Sequence, residues 1–426
     1  MIKNIKNFQV INHNSNDAII RDVIYEVNNT LLSDFNKNLQ KEDYLCVCSG
    51  GTTSSCAKNN FITIDLRKEY SQISFEEETG IVQIGGGTQM GNLVDHLEIF
   101  DRTFPIGLSK LPGAGYILTG GISPLSRRYG LAIDNILFIK GYLGNGNYFE
   151  LNKDNLKEED LNLWTGIKGA APFFAIITQI GLKTFKAYPV LTYEGFVNAN
   201  ELGELIFHAE KFPINCSLQW FFSDKIYVYI FMELKTSEDN FNAEKYHKKL
   251  TKYSSLKRNY FKNFNKLNFF PKELNLFKLS RDNHSEVISM LGEDLKSNID
   301  QFIKEMIKIN IQKPNKSCYV ASQQLGGVTS SVSKKDSCFI HRQSTWKPWI
   351  YASWEKNNVE DKKIALDWMN NSWQKLKKFY PKIHLAQLHN HLNTHKEEVN
   401  LAFDLKLNNM KLLKNFCDPS GNLPPL

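Results

Sequence analysis

LPGAGYILTGGISPLSRRYGLAIDN, residues 111–135, carries glycine at Gly113, Gly115, Gly120, Gly121 and Gly130, with few long side chains between Pro112 and Ser123. Bare backbone of this kind lets a flat aromatic group and its attached chain press close to the protein, because glycine adds no bulk and accepts unusual backbone angles. Taken alone, the tract reads equally well as a glycine-rich hairpin. The segments on either side decide between the two.

Upstream, Ser49-Gly50-Gly51-Thr52-Thr53-Ser54-Ser55 lies between two strand-like runs, the second being Phe61–Leu66 (FITIDL). Two glycines and several hydroxyls allow such a loop to turn its amides toward a diphosphate, although loops of this composition are more often plain turns. Between the two tracts, Ile81–Ile84 reads as a strand entering Gly85-Gly86-Gly87-Thr88, and Met90–Leu97 then has helical spacing with Thr88 as the expected N-cap. The glycine spacing does not fit a dinucleotide fingerprint, and no acidic residue follows at the right distance, so these glycines are assigned to packing. Downstream, Ile136–Leu143 and Tyr148–Leu151 read as strands joined at Gly144-Asn145-Gly146, and Ala175–Phe185 closes the region as a further strand.

From about residue 190 to 375 glycine becomes scarce. Cys216–Leu234 looks like two paired strands around Ser223-Asp224, and 297–308 and 361–379 look like amphipathic helices, the latter with Leu366, Met369, Trp373 and Leu376 on one face. The last fifty or so residues read as one more helix, with Phe403, Leu407, Met410 and Leu413 on a face, before a Pro/Gly-rich end. There is no internal repeat.

Composition narrows the function. At 426 residues, with 42% hydrophobic and 23% charged residues, the chain is an ordinary globular one of two-domain size. No apolar run approaches the roughly 20 residues that span a bilayer. The opening MIKNIKNFQVINHNSND lacks the apolar stretch of an export signal, so a cytoplasmic location is expected. The net charge of +7 comes from scattered lysines, and clusters such as His247-Lys248-Lys249 sit in helix-like stretches as solvated faces, which argues against nucleic acid as a partner. The seven cysteines show no paired CxxC elements, so zinc is not indicated, and buried free thiols are expected.

The order of these elements resembles the vanillyl-alcohol-oxidase or PCMH-type FAD-binding superfamily, and within it the berberine-bridge-enzyme-like branch of oxygen-dependent FAD-linked oxidoreductases. The family's Arg-Ser-Gly-Gly-His-Ser loop is similar to Cys48-Ser49-Gly50-Gly51-Thr52-Thr53, and its central tract ending in Gly-Leu-x-x-Asp-Asn is similar to Gly113–Asn135. Its segment from Leu-Phe-Trp to Phe-Gly-Val-Val-Thr resembles Leu163-Trp164 through Thr178. Gly326-Gly327-Val328 and Phe339-Ile340-His341-Arg342 match the branch's substrate-domain signature, and 410–424 (MKLLKNFCDPSGNLP) resembles its closing helix. The resemblance covers most of the chain, with residues 190 to 310 contributing least.

It implies an α+β fold in three segments. Residues 1–188 would form a PCMH-type FAD-binding domain and 189–375 a substrate domain, an antiparallel sheet backed by helices; 376–426 would return to the first domain. It implies FAD as cofactor and contacts to it from Ser49, Gly50, Gly51, Thr52, Thr53, Gly113, Thr119, Gly120, Gly121, Ser123, Gly130, Leu131, Asp134, Ile177 and Asn390. Where many relatives carry a flavin-linked histidine this chain has Thr52, and where some carry a cysteinyl link it has Ser109, so a non-covalent flavin is expected. The family's Tyr-x-Asn-Tyr element is similar to Leu388-His389-Asn390-His391, with both tyrosines gone. His391 is the candidate catalytic base, since an imidazole near its ordinary pKa suits removal of a hydroxyl proton. A histidine-rich surface loop is the alternative for this stretch, and a metal site is not expected. Tyr227, Tyr229, Trp220 and Trp346 could line the pocket or pack the core. The implied function is an FAD-dependent oxidoreductase removing a hydride from an alcohol-, sugar- or amine-type carbon of a small molecule. The alternative is a flavin-binding protein with a degenerate active site acting as a scaffold. Neither the oligomeric state nor the electron acceptor is legible.

Overall fold

The structure, a computed structural model, describes residues 22–24, 32, 44–56, 61–267, 283–389 and 391–426. Three sheets organise it. The first is a small parallel sheet in which Phe61–Asp65 lies between Asp22–Ile24 and Tyr44–Cys48. The second is an antiparallel sheet of five strands, in the order Ile73–Glu76, Ile81–Gly85, Ala175–Lys183, Ile136–Leu143 and Tyr148–Asn152. The hairpin expected at Gly144-Asn145-Gly146 is the turn between the last two in sequence, with Gly146 at φ 84°.

The third sheet is antiparallel and has eight strands among the described residues. Its order is Lys257–Phe261, Val190–Val197, Ile226–Glu233, Cys216–Phe222, Tyr319–Gln324, Trp346–Glu355, Asn283–Leu291 and Lys382–His384. The helices Ala199–Ala209, Ile299–Ile311 and Val359–Leu376 back it, joined through buried Trp220, Phe302 and Tyr380. Strand residues alternate between faces, so the other face of this sheet is free to meet the glycine-rich domain. Its edge to that domain is tied by Arg127, which donates to the carbonyls of Leu325 and, at 2.8 Å, Phe212. Arg128 adds ion pairs to Glu233, at 3.3 Å, and to Asp239.

The segment after residue 384 packs back on the first domain. Lys414 Nζ donates to the Phe173 carbonyl at 2.8 Å, the Asn145 amide to Cys417 at 2.7 Å, and the Leu45 amide to Asn422 at 2.8 Å. Two local expectations are corrected. Thr88 is not the N-cap: the helix runs Met90–Glu98 behind Gln89, and its first amides bond the backbone carbonyls of Pro112 and Lys110 at 2.8 Å each. The C-terminal helix is two, His395–Phe403 and Leu407–Cys417, because Asp404 takes a φ of 42° between them.

Candidate functional site

Between the glycine-rich domain and the free face of the eight-stranded sheet lies a cavity of about 380 Å³. Its first wall is glycine-built. The loop after Tyr44–Cys48 presents Ser49 to Thr53 and Ser55 to the space, and turns at Gly51 with φ 70°. Gly50 and Gly113 approach so closely that a Cβ on Gly50 would lie 2.1 Å from the Gly113 nitrogen. Ser49 fastens the two tracts to a third: its Oγ donates to the Gly86 carbonyl at 2.6 Å and accepts from the Gly115 amide at 3.2 Å. At Gly115 a Cβ would meet only Ser49 Cβ, at 3.9 Å, so this position opens onto free space.

The opposite wall follows from strand alternation. Ser285, Val287 and Ser289 on one strand face the cavity, as do Lys347, Trp349 and Tyr351 on the next and Tyr319 and Gln323 on the third. Tyr319 and Tyr351 are register partners and stack at 4.7 Å with 14° between their planes. Lys347 pairs across the ladder with Gln323, and its ammonium lies 4.4 Å from the centre of the Trp349 ring. Burial pushes its amine down to about 7, since a charge loses hydration there without gaining a partner. His384 closes one end. Its Nε2 donates to the Thr119 carbonyl at 2.9 Å, and burial, with Lys347 nearby, pushes the imidazole down to about 3, so the ring is neutral.

Of the residues expected at a cofactor, Ser49, Gly50, Gly51, Thr52, Thr53, Gly113, Thr119 and Ile177 line this cavity, and so does Ser109. Gly120, Gly121, Ser123, Gly130, Leu131 and Asp134 do not line it. Gly121, at φ 73°, would direct a Cβ to within 2.3 Å of Ala132 Cβ, and Gly120 directs its own toward Phe339 and His384. These glycines let the tract fold on itself. Ser123 closes a local turn, Leu131 is core, and Asp134 accepts from the Leu131 amide at 2.8 Å and pairs with Arg342 at 2.9 Å beside Gly130. Asn390 lies outside the described residues.

His391 is likewise absent from the cavity wall. Its Nε2 lies 2.8 Å from Glu286 Oε1, and Glu286, between Ser285 and Val287, points to the other face of its strand. There it joins a buried cluster. His389 Nε2 lies 3.4 Å from Glu286 Oε2, His389 Nδ1 lies 2.8 Å from Glu398, and Ser54 Oγ from the glycine loop donates to Glu286 at 3.2 Å. Against the cost of burial, the two imidazoles pull Glu286 down to about 2, and the two carboxylates raise His389 to about 10. His341 bonds the Leu401 carbonyl at 2.7 Å, and His395 the Pro425 carbonyl at 3.3 Å. Trp220 and Trp346 face the backing helices, and Tyr227 and Tyr229 stand on a strand farther from the cavity; none of the four lines it. The sequence reading missed Lys347, Trp349 and Tyr351. Their i, i+2, i+4 spacing in the run WKPWIY was the available signal, a lysine sharing one strand face with two aromatics. All seven cysteines are buried and none is in a disulfide, and among the described residues no group of His, Cys, Asp or Glu could hold a metal ion.

Comparison with known proteins identifies the cofactor. Residues 36–152 match the model of the FAD binding domain family, and FAD is the cofactor of this chain. The donors fit it: a loop of amides and hydroxyls for a diphosphate, and the open position over Gly115 for bulk pressed on backbone. The chain is 33% identical over 157 residues to the FAD-linked oxidoreductase nodO of Hypoxylon pulicicidum, covering 36% of this chain and 34% of that protein. It is 30% identical over 140 residues to a carbohydrate oxidase of Microdochium nivale (32% and 28%), and 29% over 156 residues to (R)-6-hydroxynicotine oxidase of Paenarthrobacter nicotinovorans (36% and 33%). The matched stretch spans about a third of the length of these curated relatives. Over the whole chain the fold is that of the berberine-bridge-enzyme-like proteins. Physcomitrella patens BBE-like 1 superposes with a TM-score of 0.78 at 16% identity, covering 97% of this chain and 92% of that one. Berberine bridge enzyme from Eschscholzia californica gives 0.76 at 17%, covering 96% and 89%. Among the described residues no helix is long and apolar enough to cross a membrane.

Proposed function

We propose that this chain, an FAD binding domain within a berberine-bridge-enzyme-like fold, is an FAD-dependent oxidoreductase that oxidises an alcohol-, sugar- or amine-type carbon of a small molecule and holds its flavin non-covalently. The observation that carries the proposal is the continuity of the cavity: its glycine-walled half and its polar, aromatic half are one space. Bound FAD supplies the hydride acceptor, and that redox chemistry is the cofactor's own. The chain's part is to hold and to orient. Ser49 to Thr53 and Ser55 would hold the diphosphate through amides and hydroxyls, and Gly113, Gly115, Thr119 and Ile177 would take the ring and its chain.

On the sheet side, Ser285, Ser289, Gln323 and Tyr351 offer hydrogen bonds to a substrate's polar groups, while Trp349 and Tyr319 exclude water. Fixing the substrate carbon in this way removes most of the entropic cost of the encounter. Thr52 and Ser109, both on the cavity wall, offer neither the imidazole nor the thiolate that attacks a flavin. Cys56 also lines the cavity, but its thiol is engaged as donor to the Thr53 carbonyl at 2.8 Å.

The engagement of His389 and His391 by Glu286 and Glu398 favours a second reading, a flavin-binding scaffold without turnover, because neither of these two histidines then serves the cavity as a base. Anaerobic mixing of the holoprotein with a panel of alcohols, sugars and amines separates the two. Bleaching of the flavin by any member supports the enzyme; a flavin that stays oxidised across the panel, at full FAD content, supports the scaffold.

A further inference from the structure

Lys347 is half-buried and faces the cavity. It forms no ion pair or side-chain hydrogen bond with any described residue, and no aspartate or glutamate lines the cavity it faces. The titratable groups around it are neutral ones. They are His384 at the end of the cavity, Tyr351 on its own strand, Tyr319 on the neighbouring strand, and Tyr116 from the glycine-rich domain, all three tyrosines held protonated by burial. Glu286, one strand away, points to the opposite face and is taken by His389 and His391. Arg342 is matched by Asp134, and Arg128 by Glu233 and Asp239, whereas Arg127 is met by backbone carbonyls and Lys168 by the Trp164 ring; of these cations only Lys347 lines the cavity. Loss of hydration in the cavity wall brings its amine down to about 7, and a cation held there with no carboxylate beside it is costly. Such a group in a cleft marks a functional site.

We propose that Lys347 is the anchor for a carboxylate, and that the cavity takes a small organic acid whose flat or apolar body carries the carbon to be oxidised. The inference rests on the oxidoreductase reading and names the substrate class for that site. One ammonium neutralises one charge. A dianionic phosphate would leave a net negative charge among Trp349, Tyr319 and Tyr351, where an uncompensated ion is expensive. A monoanionic carboxylate leaves none. The body of the acid meets the Trp349 ring and the stacked Tyr319–Tyr351 pair, surfaces that suit a planar or apolar face. A cationic substrate is disfavoured by the same arrangement, since Lys347 would repel it and no carboxylate in the wall would receive it.

The test uses the flavin-loaded protein with benzoate and its neutral isostere benzamide as probes. Binding is read by calorimetry and by perturbation of the flavin spectrum. At pH 6 benzoate should bind roughly ten- to a hundredfold more tightly than benzamide, the span of a hydrogen bond to a charged group. Only the ammonium form attracts the carboxylate. Benzoate affinity should therefore fall by about tenfold per pH unit above the lysine's free value, while benzamide affinity stays level. Lys347→Met should erase the preference for benzoate, and Lys347→Arg should restore it. Equal affinities for the two probes in the unaltered protein overturn the inference, as does a benzoate preference that survives in Lys347→Met. A Lys347→Met variant that binds benzoate normally but shifts the flavin's reduction potential would assign the lysine to the cofactor instead, and would equally overturn it. A preparation that takes up no FAD fails the oxidoreductase reading itself; full FAD content with indifferent probes fails the inference alone.

Discussion

Replacing Gly115 by alanine separates the cofactor's space from the stability of the fold. The added methyl meets only Ser49 Cβ, at an ordinary contact distance of 3.9 Å, and otherwise enters the cavity. Gly115 opens the short helix Gly115–Leu118, where alanine is the better residue by up to about 1 kcal/mol, so the apoprotein should be as stable as before or slightly more so. If FAD lies against this backbone, the methyl overpacks the complex at a cost of about 1–3 kcal/mol. At 1.4 kcal/mol per factor of ten, FAD should then dissociate about fivefold to about 150-fold more readily. Titration of apoprotein with FAD, followed by fluorescence, measures the first quantity, and thermal unfolding of the apoprotein measures the second. An unchanged FAD affinity with an unchanged unfolding temperature would refute the placement. Gly121→Leu is the weaker probe, because its Cβ collides with Ala132 and any loss of FAD would follow from damage to the tract.

Glu286→Ala should destabilise the protein by about 3–5 kcal/mol in urea unfolding at pH 7, because it removes the buried carboxylate that pairs with His389 and His391 and accepts from Ser54. The same cluster sets a pH window in the unaltered protein. Glu286, depressed from 4.5 to about 2, stabilises above pH 4.5 and loses that contribution as pH falls toward 2; His389, raised from 6.5 to about 10, stabilises below pH 6.5 and loses it as pH rises through 10. Urea midpoints should therefore decline on both sides of pH 4.5–6.5, and the acid limb should flatten in Glu286→Gln; an acid limb of unaltered slope would count against the assignment. His391→Ala should leave the rate of flavin reduction by substrate within about twofold, whereas a fall of the roughly 10²-fold expected for a lost general base would return His391 to the chemistry.

The glycine loops were legible because glycine has few reasons to recur at fixed places, and close approach of backbone to backbone is one of them. Gly50 against Gly113 is such a contact, and Ser49 bridging to Gly86 and Gly115 shows why three separate tracts occur in that order. The tract 120–134 does not line the cavity: Gly120, Gly121 and Gly130 use their backbone angles for internal packing, and composition does not distinguish a glycine that makes room for a ligand from one that makes room for Ala132. Hydroxyl-rich turns were readable, while the partners of His389 and His391 were not. Glu286 lies about a hundred residues away on a strand whose two faces serve different sites, and only the sheet register sends Ser285 to the cavity and Glu286 behind it. Lys347 was hidden by the same parity, since a lysine between two tryptophans reads as an ordinary exposed residue until its strand is placed in the sheet.

The central claim, one reversibly held FAD in this cavity, is tested most directly by the visible spectrum of the purified or FAD-reconstituted protein, before and after acid precipitation. The expected result is flavin absorbance equivalent to one FAD per chain, all of it passing to the acid supernatant and none remaining with the pellet. Failure to take up FAD, or flavin that stays with the precipitated chain, would contradict the account.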